Sequence, residues 1–172
     1  MSYMNIDNLY KATDILQFKE CYAMEKIHGT SAHIAFKNGQ ISFFSGGCKH
    51  DAFIMNFDAN DLLSKYNEKA IPSERAVTIY GEAYGGSLQK MRATYGDRIR
   101  FVAFEVKIGD SWLSVPQAEE FVKSLGLDFV HYVKVFTDLP TLDAQRDASS
   151  VQAVKNGMGE GHPREGIVLR PL

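Results

Sequence analysis

Lys26 closes an alternating apolar and polar run, in Glu25-Lys26-Ile27-His28-Gly29-Thr30, directly before a glycine-containing turn. An amine in that position can act as a nucleophile. At its reference pKa, however, only about one lysine in a few thousand is neutral at pH 7. A protein activates it by stripping its water or by setting other positive charge beside it. A divalent metal, with the cationic groups that grip a polyphosphate, would supply such charge. Gly29 would let the backbone approach a phosphate or sugar, and His28 stands within hydrogen-bonding reach. Taken alone the string is common, and a solvent-facing hairpin lysine explains it more simply.

Three later segments change that balance: Tyr80-Gly81-Glu82-Ala83-Tyr84-Gly85-Gly86, Phe101-Val102-Ala103-Phe104-Glu105-Val106, and Arg164-Glu165-Gly166-Ile167-Val168-Leu169-Arg170-Pro171. In order and spacing the four segments resemble the covalent nucleotidyltransferases, the superfamily of ATP-dependent ligases and capping enzymes. The nearest likeness is to type-2 RNA ligases, the group of phage repair and RNA-editing ligases, and it extends over residues 20–171. His28 stands where DNA ligases usually carry Asp, and the run Gln89-Lys90 to Tyr95-Gly96-Asp97 also looks like the RNA-ligase group.

The resemblance implies a role for each residue. Lys26 would attack the α-phosphorus of ATP and become lysyl-AMP, with His28 orienting the lysine's surroundings or touching phosphate. Glu25, Ile27 and Gly29 would flank the nucleotide, the main chain at and before Glu25 being the expected source of base selection. Glu82 would accept hydrogen bonds from the ribose hydroxyls. Phe104 would stack on adenine, although by pattern alone it reads as core and is easily confused with Phe101. Glu165 would hold Mg2+ or Mn2+ beside the phosphates, since such ions take oxygen ligands and keep several waters. The plain alternative for Glu165 is a salt bridge to Arg164 or Arg170. The implied reaction seals 3′-hydroxyl and 5′-phosphate RNA ends, in the cytoplasm, including a host's cytoplasm when the ligase is phage-encoded. A DNA ligase, a GTP-using capping enzyme and a non-catalytic nucleotide- or RNA-binding remnant are the alternatives, and His28 argues against the first two.

Two departures from the family pattern stand out. Ser45-Gly46-Gly47 follows the first hairpin where the family often has a basic residue, with Lys49 the nearest cation. The chain stops at Leu172, before the family's Lys-x-Lys motif and carboxy-terminal RNA-binding domain. The expectation is therefore one adenylation domain over residues 1–172.

Composition bounds the rest. A chain of 172 residues fits one domain with a moderate core. Its formal charge of −2 gives no general support to nucleic-acid binding. Locally, Lys90, Arg92, Arg98 and Arg100 cluster against Asp97 alone, which makes Lys90 and Arg92 weak candidates for RNA contact. No secretory leader or membrane-length apolar run is legible, so no membrane partner is expected. Cys21 and Cys48 are too few for a disulfide framework and read as thiols without catalytic duty.

The elements that must position these groups follow from patterning. Asn38-Gly39 between residues 32–37 and 40–45 signals a tight hairpin, so Lys26 reads as the entry to a β-meander. Apolar residues from Phe53 to Tyr66 recur at helical spacing, broken near Asp58. Residues 76–83 and 99–108 read as central strands joined by a long loop. Ser114, Pro116 and Gly126 bracket a helix, residues 129–136 form a strand, and residues 140–156 are helical with a break at Ser149-Ser150. A final strand covers residues 165–170. The sum is an α+β domain of antiparallel sheets with flanking helices, and the resemblance implies an ATP-grasp-like nucleotidyltransferase adenylation fold.

Overall fold

A computed structural model describes residues 3–172. Its strands are β1 (Glu20–Lys26), β2 (Thr30–Lys37), β3 (Gln40–Ser45), β4 (Val77–Tyr84), β5 (Arg100–Ile108), β6 (Ser111–Trp112), β7 (Tyr132–Phe136) and β8 (Gly166–Pro171). Its helices are α1 (His50–Ile54), α2 (Ala59–Asn67), α3 (Arg92–Tyr95), α4 (Val115–Ser124), α5 (Leu139–Arg146) and α6 (Val151–Lys155). The strands form two antiparallel sheets, one in the order β7-β1-β8 and one in the order β3-β2-β4-β5-β6.

Local chemistry accounts for most of these boundaries. Asn38 and Gly39 both take positive φ, 53° and 74°, which is what a tight hairpin between twisted strands requires. Helix α4 opens on a reciprocal cap: the Gln117 N–H donates to Ser114 Oγ at 3.3 Å and the Ser114 N–H to Gln117 Oε1 at 3.2 Å. Asp58 caps α2 by accepting from the Asp61 N–H at 3.1 Å. The core lies on one face of the larger sheet, where Ile34, Phe36, Val77, Ile79 and Val106 meet Phe53, Leu62 and Tyr66 from α1 and α2 and Val115, Ala118 and Val122 from α4. These are period-two positions on the strands and helical positions opposite, so each element buries its apolar face against another.

Several sequence expectations change in the structure. β1 does not lead into the β2–β3 hairpin as a meander; it belongs to the smaller sheet, and residues 27–29 carry the chain from one sheet to the other. Sequence periodicity cannot see this, because adjacent strands look alike whether or not they pair. The expected loop 84–98 holds a short 3-10 turn, Leu88–Lys90, and α3. The expected strand 129–136 is regular only from Tyr132, with Phe129 making an isolated bridge to Ala103. Another 3-10 turn (Asp14–Gln17) and β6 carry too few residues to show a period.

Candidate active site

A cleft of about 1200 Å³ opens between the two sheets, and Lys26, His28, Gly29, Glu82, Phe104 and Glu165 all line it. Each arrives by a different structural route. Lys26 ends β1 and is paired in register with Gly166 at the start of β8, so Glu165 is the next residue out on the neighbouring strand. Lys26 Nζ lies 3.7 Å from Glu165 Oε1, with the two side chains 55% and 28% exposed. At that exposure the pair contributes little to stability, and the amine is open to a ligand.

Glu165 does not pair with either neighbouring arginine. The Arg164 guanidinium donates to the Gln145 and Ser149 carbonyls at 3.1 and 3.0 Å, tying down the α5–α6 connection. Arg170 Nη1 lies 2.5 Å from Glu105 Oε2. The structural salt bridge weighed for Glu165 is thus excluded, and its one ionic partner among the described residues is Lys26.

Gly29 crosses β4 at very close range. A Cβ there would lie 2.1 Å from the Ala83 carbonyl oxygen and 2.8 Å from Tyr84 Cβ, so only glycine lets the turn sit down. Glu82 faces the cleft beside this turn. Burial pushes its carboxyl up to about 7 and the Glu165 charge adds to the shift, while a Gly29 N–H hydrogen bond and the Lys26 ammonium oppose it.

Phe104 owes its aim to a break in the sheet. Tyr80 pairs with Glu105 and Gly81 with Ala103, leaving Phe104 as the extra residue of a bulge on β5. A Cβ on Gly81 would strike the Val102 carbonyl at 2.2 Å and the Phe101 ring at 2.7 Å, so the same glycine permits the close packing there. The two phenylalanines part company as a result: Phe101 packs edge-on against Phe53 and Phe57 in the core, and Phe104 lines the cleft.

Behind the turn that follows Lys26 runs a chain of support. The Glu25 carboxylate is buried and accepts from Ser150 Oγ at 2.6 Å, the Val151 N–H at 2.9 Å and the Gln152 N–H at 3.1 Å, capping α6. Helix α6 in turn holds two tyrosines: Gln152 Nε2 donates to the Tyr84 hydroxyl at 2.9 Å and Asn156 Nδ2 to the Tyr95 carbonyl at 3.0 Å. The Tyr95 hydroxyl then accepts from the His28 N–H at 3.2 Å. The stretch around Lys26 is therefore braced on both sides, at Glu25 directly and at the His28 main chain through α6 and Tyr95. The Glu25 side chain is not free for a ligand, and Ile27 places its own in the core.

Sequence reasoning missed other groups at the cleft. Gln89 lines it and donates to the Gly29 carbonyl at 3.3 Å. Gln89 and Lys90 both adopt positive φ, 54° and 57°, a strained pair for non-glycine residues. Tyr3, Ile6, Tyr10 and Ile15 form part of one wall, and Arg146 and Asp143 of α5 another. The amino-terminal residues lie outside the stretch covered by the motifs, and no local pattern marks them. Lys90 and Arg92 are exposed and stand off the cleft; Arg92 is 3.6 Å from Asp97. Cys21 is buried, which pushes its thiol up, and neither cysteine is bridged. Among the described residues, no helix is long and apolar enough to cross a membrane.

The RNA ligase family profile matches residues 19–172. The chain belongs to the RNA ligase family. Solved structures of variants of the RNA ligase from Naegleria gruberi share the fold of this RNA ligase family member. One with ATP and manganese has a TM-score of 0.76 at 17% identity, over 100% of this chain and 53% of that one. Another, an apo variant, has a TM-score of 0.77 at 16% identity over the same shares. A third, with AMP and manganese, scores 0.74 at 16% identity over 98% of this chain and 52% of the other. The family member thus spans about half the length of these relatives. Comparison with curated proteins finds no significant match.

Proposed function

We propose that residues 1–172 are a single nucleotidyltransferase unit, the adenylation domain of an ATP-dependent RNA ligase. The observation that carries this reading is the convergence of Lys26, Glu82, Phe104 and Glu165, from two separate sheets, on one cleft beside a glycine turn. Lys26 Nζ, once free of its proton, attacks the α-phosphorus of ATP; the N–P bond forms as the P–O bond to pyrophosphate breaks. The 5′-phosphate of an RNA end then takes the adenylate from Lys26. A 3′-hydroxyl attacks that activated phosphate and releases AMP. Phe104 stacks on the adenine, Glu82 accepts from the ribose hydroxyls and His28 contacts phosphate.

Glu165 would hold Mg2+ or Mn2+ with the nucleotide phosphates. The donor set suits such an ion: Glu82 and Glu165 both line the cleft, so carboxylate oxygens, the ligands such cations take, face the space proposed for the phosphates. Among the described residues no cluster of three or more His, Cys, Asp or Glu is arranged for a metal, so phosphate and water oxygens must complete the ligand set. The ion would supply positive charge to the phosphate oxygens as pyrophosphate departs. Glu165 cannot serve the ion and the Lys26 ammonium fully at once. Cytoplasmic RNA repair fits a chain that consumes ATP and carries two unbridged thiols.

The test is a mass spectrum after incubation with ATP, Mg2+ or Mn2+ and pyrophosphatase. The expected result is a covalent gain of one AMP, absent in Lys26→Ala and absent with GTP. No adduct on the full-length protein under those conditions would overturn the assignment.

A further inference from the structure

The face of the five-stranded sheet that carries Glu82 does not end at the cleft. Period-two alternation and pairing place Phe44 on β3, His33 on β2, Tyr80 on β4, Lys107 on β5 and Trp112 on β6 on this one face. Their rings form a continuous series. His33 stacks on Phe44 with centroids 5.0 Å apart and planes 20° from parallel, and its other neighbour, Tyr80, is 5.9 Å away. Tyr80 meets Trp112 at 5.7 Å and Tyr3 at 5.2 Å, and Tyr3 meets Phe104 at 5.1 Å. An aromatic track thus leads from the cleft wall to the outer edge of the sheet.

Its two outer members are open to solvent, Phe44 at 44% and Trp112 at 38% exposure. Away from the cleft, where Glu82 lies, the charged side chains of this face are lysines: Lys107 Nζ lies 5.1 Å above the Trp112 ring, and Lys37 shares the face with His33. The acid in the track, Glu105, is buried and paired with Arg170. Flat rings beside lysines, continuous with a nucleotide cleft, suit a strand of unpaired bases whose phosphates meet the lysines.

We propose that this face is a stacking platform for the single-stranded RNA leading to the end being joined, with Phe44 and Trp112 each accepting a base. This rests on the RNA ligase reading above. It adds a substrate class, because bases stack only when unpaired, so a fully duplex RNA gains nothing from this surface.

Trp112 is the chain's single tryptophan, so its fluorescence reports the platform directly. Titration with a 5′-phosphorylated single-stranded oligoadenylate is expected to quench that signal, and a blunt RNA duplex of equal length to quench it much less. Phe44→Ala should weaken single-strand affinity about 5- to 100-fold, and Phe44→Tyr should restore it. Lysyl-AMP formation in Phe44→Ala should match the parent, which also shows that the variant is folded. Three outcomes would overturn the platform: no quenching, equal quenching by the duplex, or affinity indifferent to Phe44→Ala. Self-association lost in Phe44→Ala, seen by sedimentation without RNA quenching, would overturn it in favour of a second copy. The two readings fail separately: an adduct without quenching removes the platform alone, and quenching without an adduct removes the ligase assignment alone.

Discussion

β1 and β8 bring Lys26 and Glu165 to the cleft from the three-stranded sheet, whereas β4 and β5 bring Glu82 and Phe104 from the five-stranded one. The two contributions differ in character. On the smaller sheet the reactive pair is solvent-accessible and loosely held, at 3.7 Å, and rigidity comes from beneath, where Glu25 is clamped to α6. On the larger sheet the groups are set by the backbone itself, through a bulge and two glycines that allow strands and turn to touch. The comparison teaches where precision is needed. Under the proposed function, a nucleophile that must move onto phosphorus and off again would be anchored through its neighbours, and groups that hold a base and ribose still would be fixed by strand register.

Substitutions can break this contrast or sharpen it. The largest effect is expected for Glu165→Ala, which should slow lysyl-AMP formation about a thousandfold while leaving AMP affinity within a few-fold, as single-turnover rates and calorimetry would show. Equal losses in rate and affinity would erase the division between the sheets. Glu25→Ala should come next. It removes three hydrogen bonds to a buried carboxylate, so thermal and denaturant unfolding should reveal a loss of about 3 kcal/mol, with the adduct still forming at low temperature.

Glu82 offers a pH signature confined to the larger sheet. Its carboxyl, raised to about 7, is protonated below that pH, and in the proposed role it would then accept less well from the two ribose hydroxyls. AMP affinity should therefore rise as pH passes upward through 7, a step missing in Glu82→Gln. Stability should run the other way. Between about 4.5 and 7 the unfolded chain releases this proton while the folded chain keeps it, so stability falls across that window and then levels off. Glu82→Gln should flatten that slope in pH-dependent melts. The smallest effect belongs to Arg92→Ala, away from both sheets. Its exposed pair with Asp97 should be worth under about 0.5 kcal/mol, and RNA affinity should change only a few-fold, with a salt slope shallower by about one.

Much of the architecture was legible because its signals are local. The Ser114–Gln117 cap, the Asn38-Gly39 turn and the break at Ser149-Ser150 each depend on residues within a few positions of one another. Strand pairing was less legible. Placing Lys26 in a meander with β2 failed because pairing is decided by long-range registers, Lys26 with Gly166 and Ser31 with Glu82, that no short window contains.

The site divides in the same way. The sequence named Lys26, Glu82, Phe104 and Glu165 as candidates, because a reaction demands particular functional groups in a motif, and the structure brings all four to one cleft. The sequence also marked Gly29 for approach to a phosphate or sugar, whereas the structure shows the glycine is needed for its close crossing of β4. Only the tertiary structure decided that Phe104 and not Phe101 faces the cleft, that Glu25 supports a helix, and that Glu165 pairs with Lys26. A bulge, a cap reaching across 126 residues and a cross-strand ion pair are products of packing between distant segments. Their energies exist only once those segments have met.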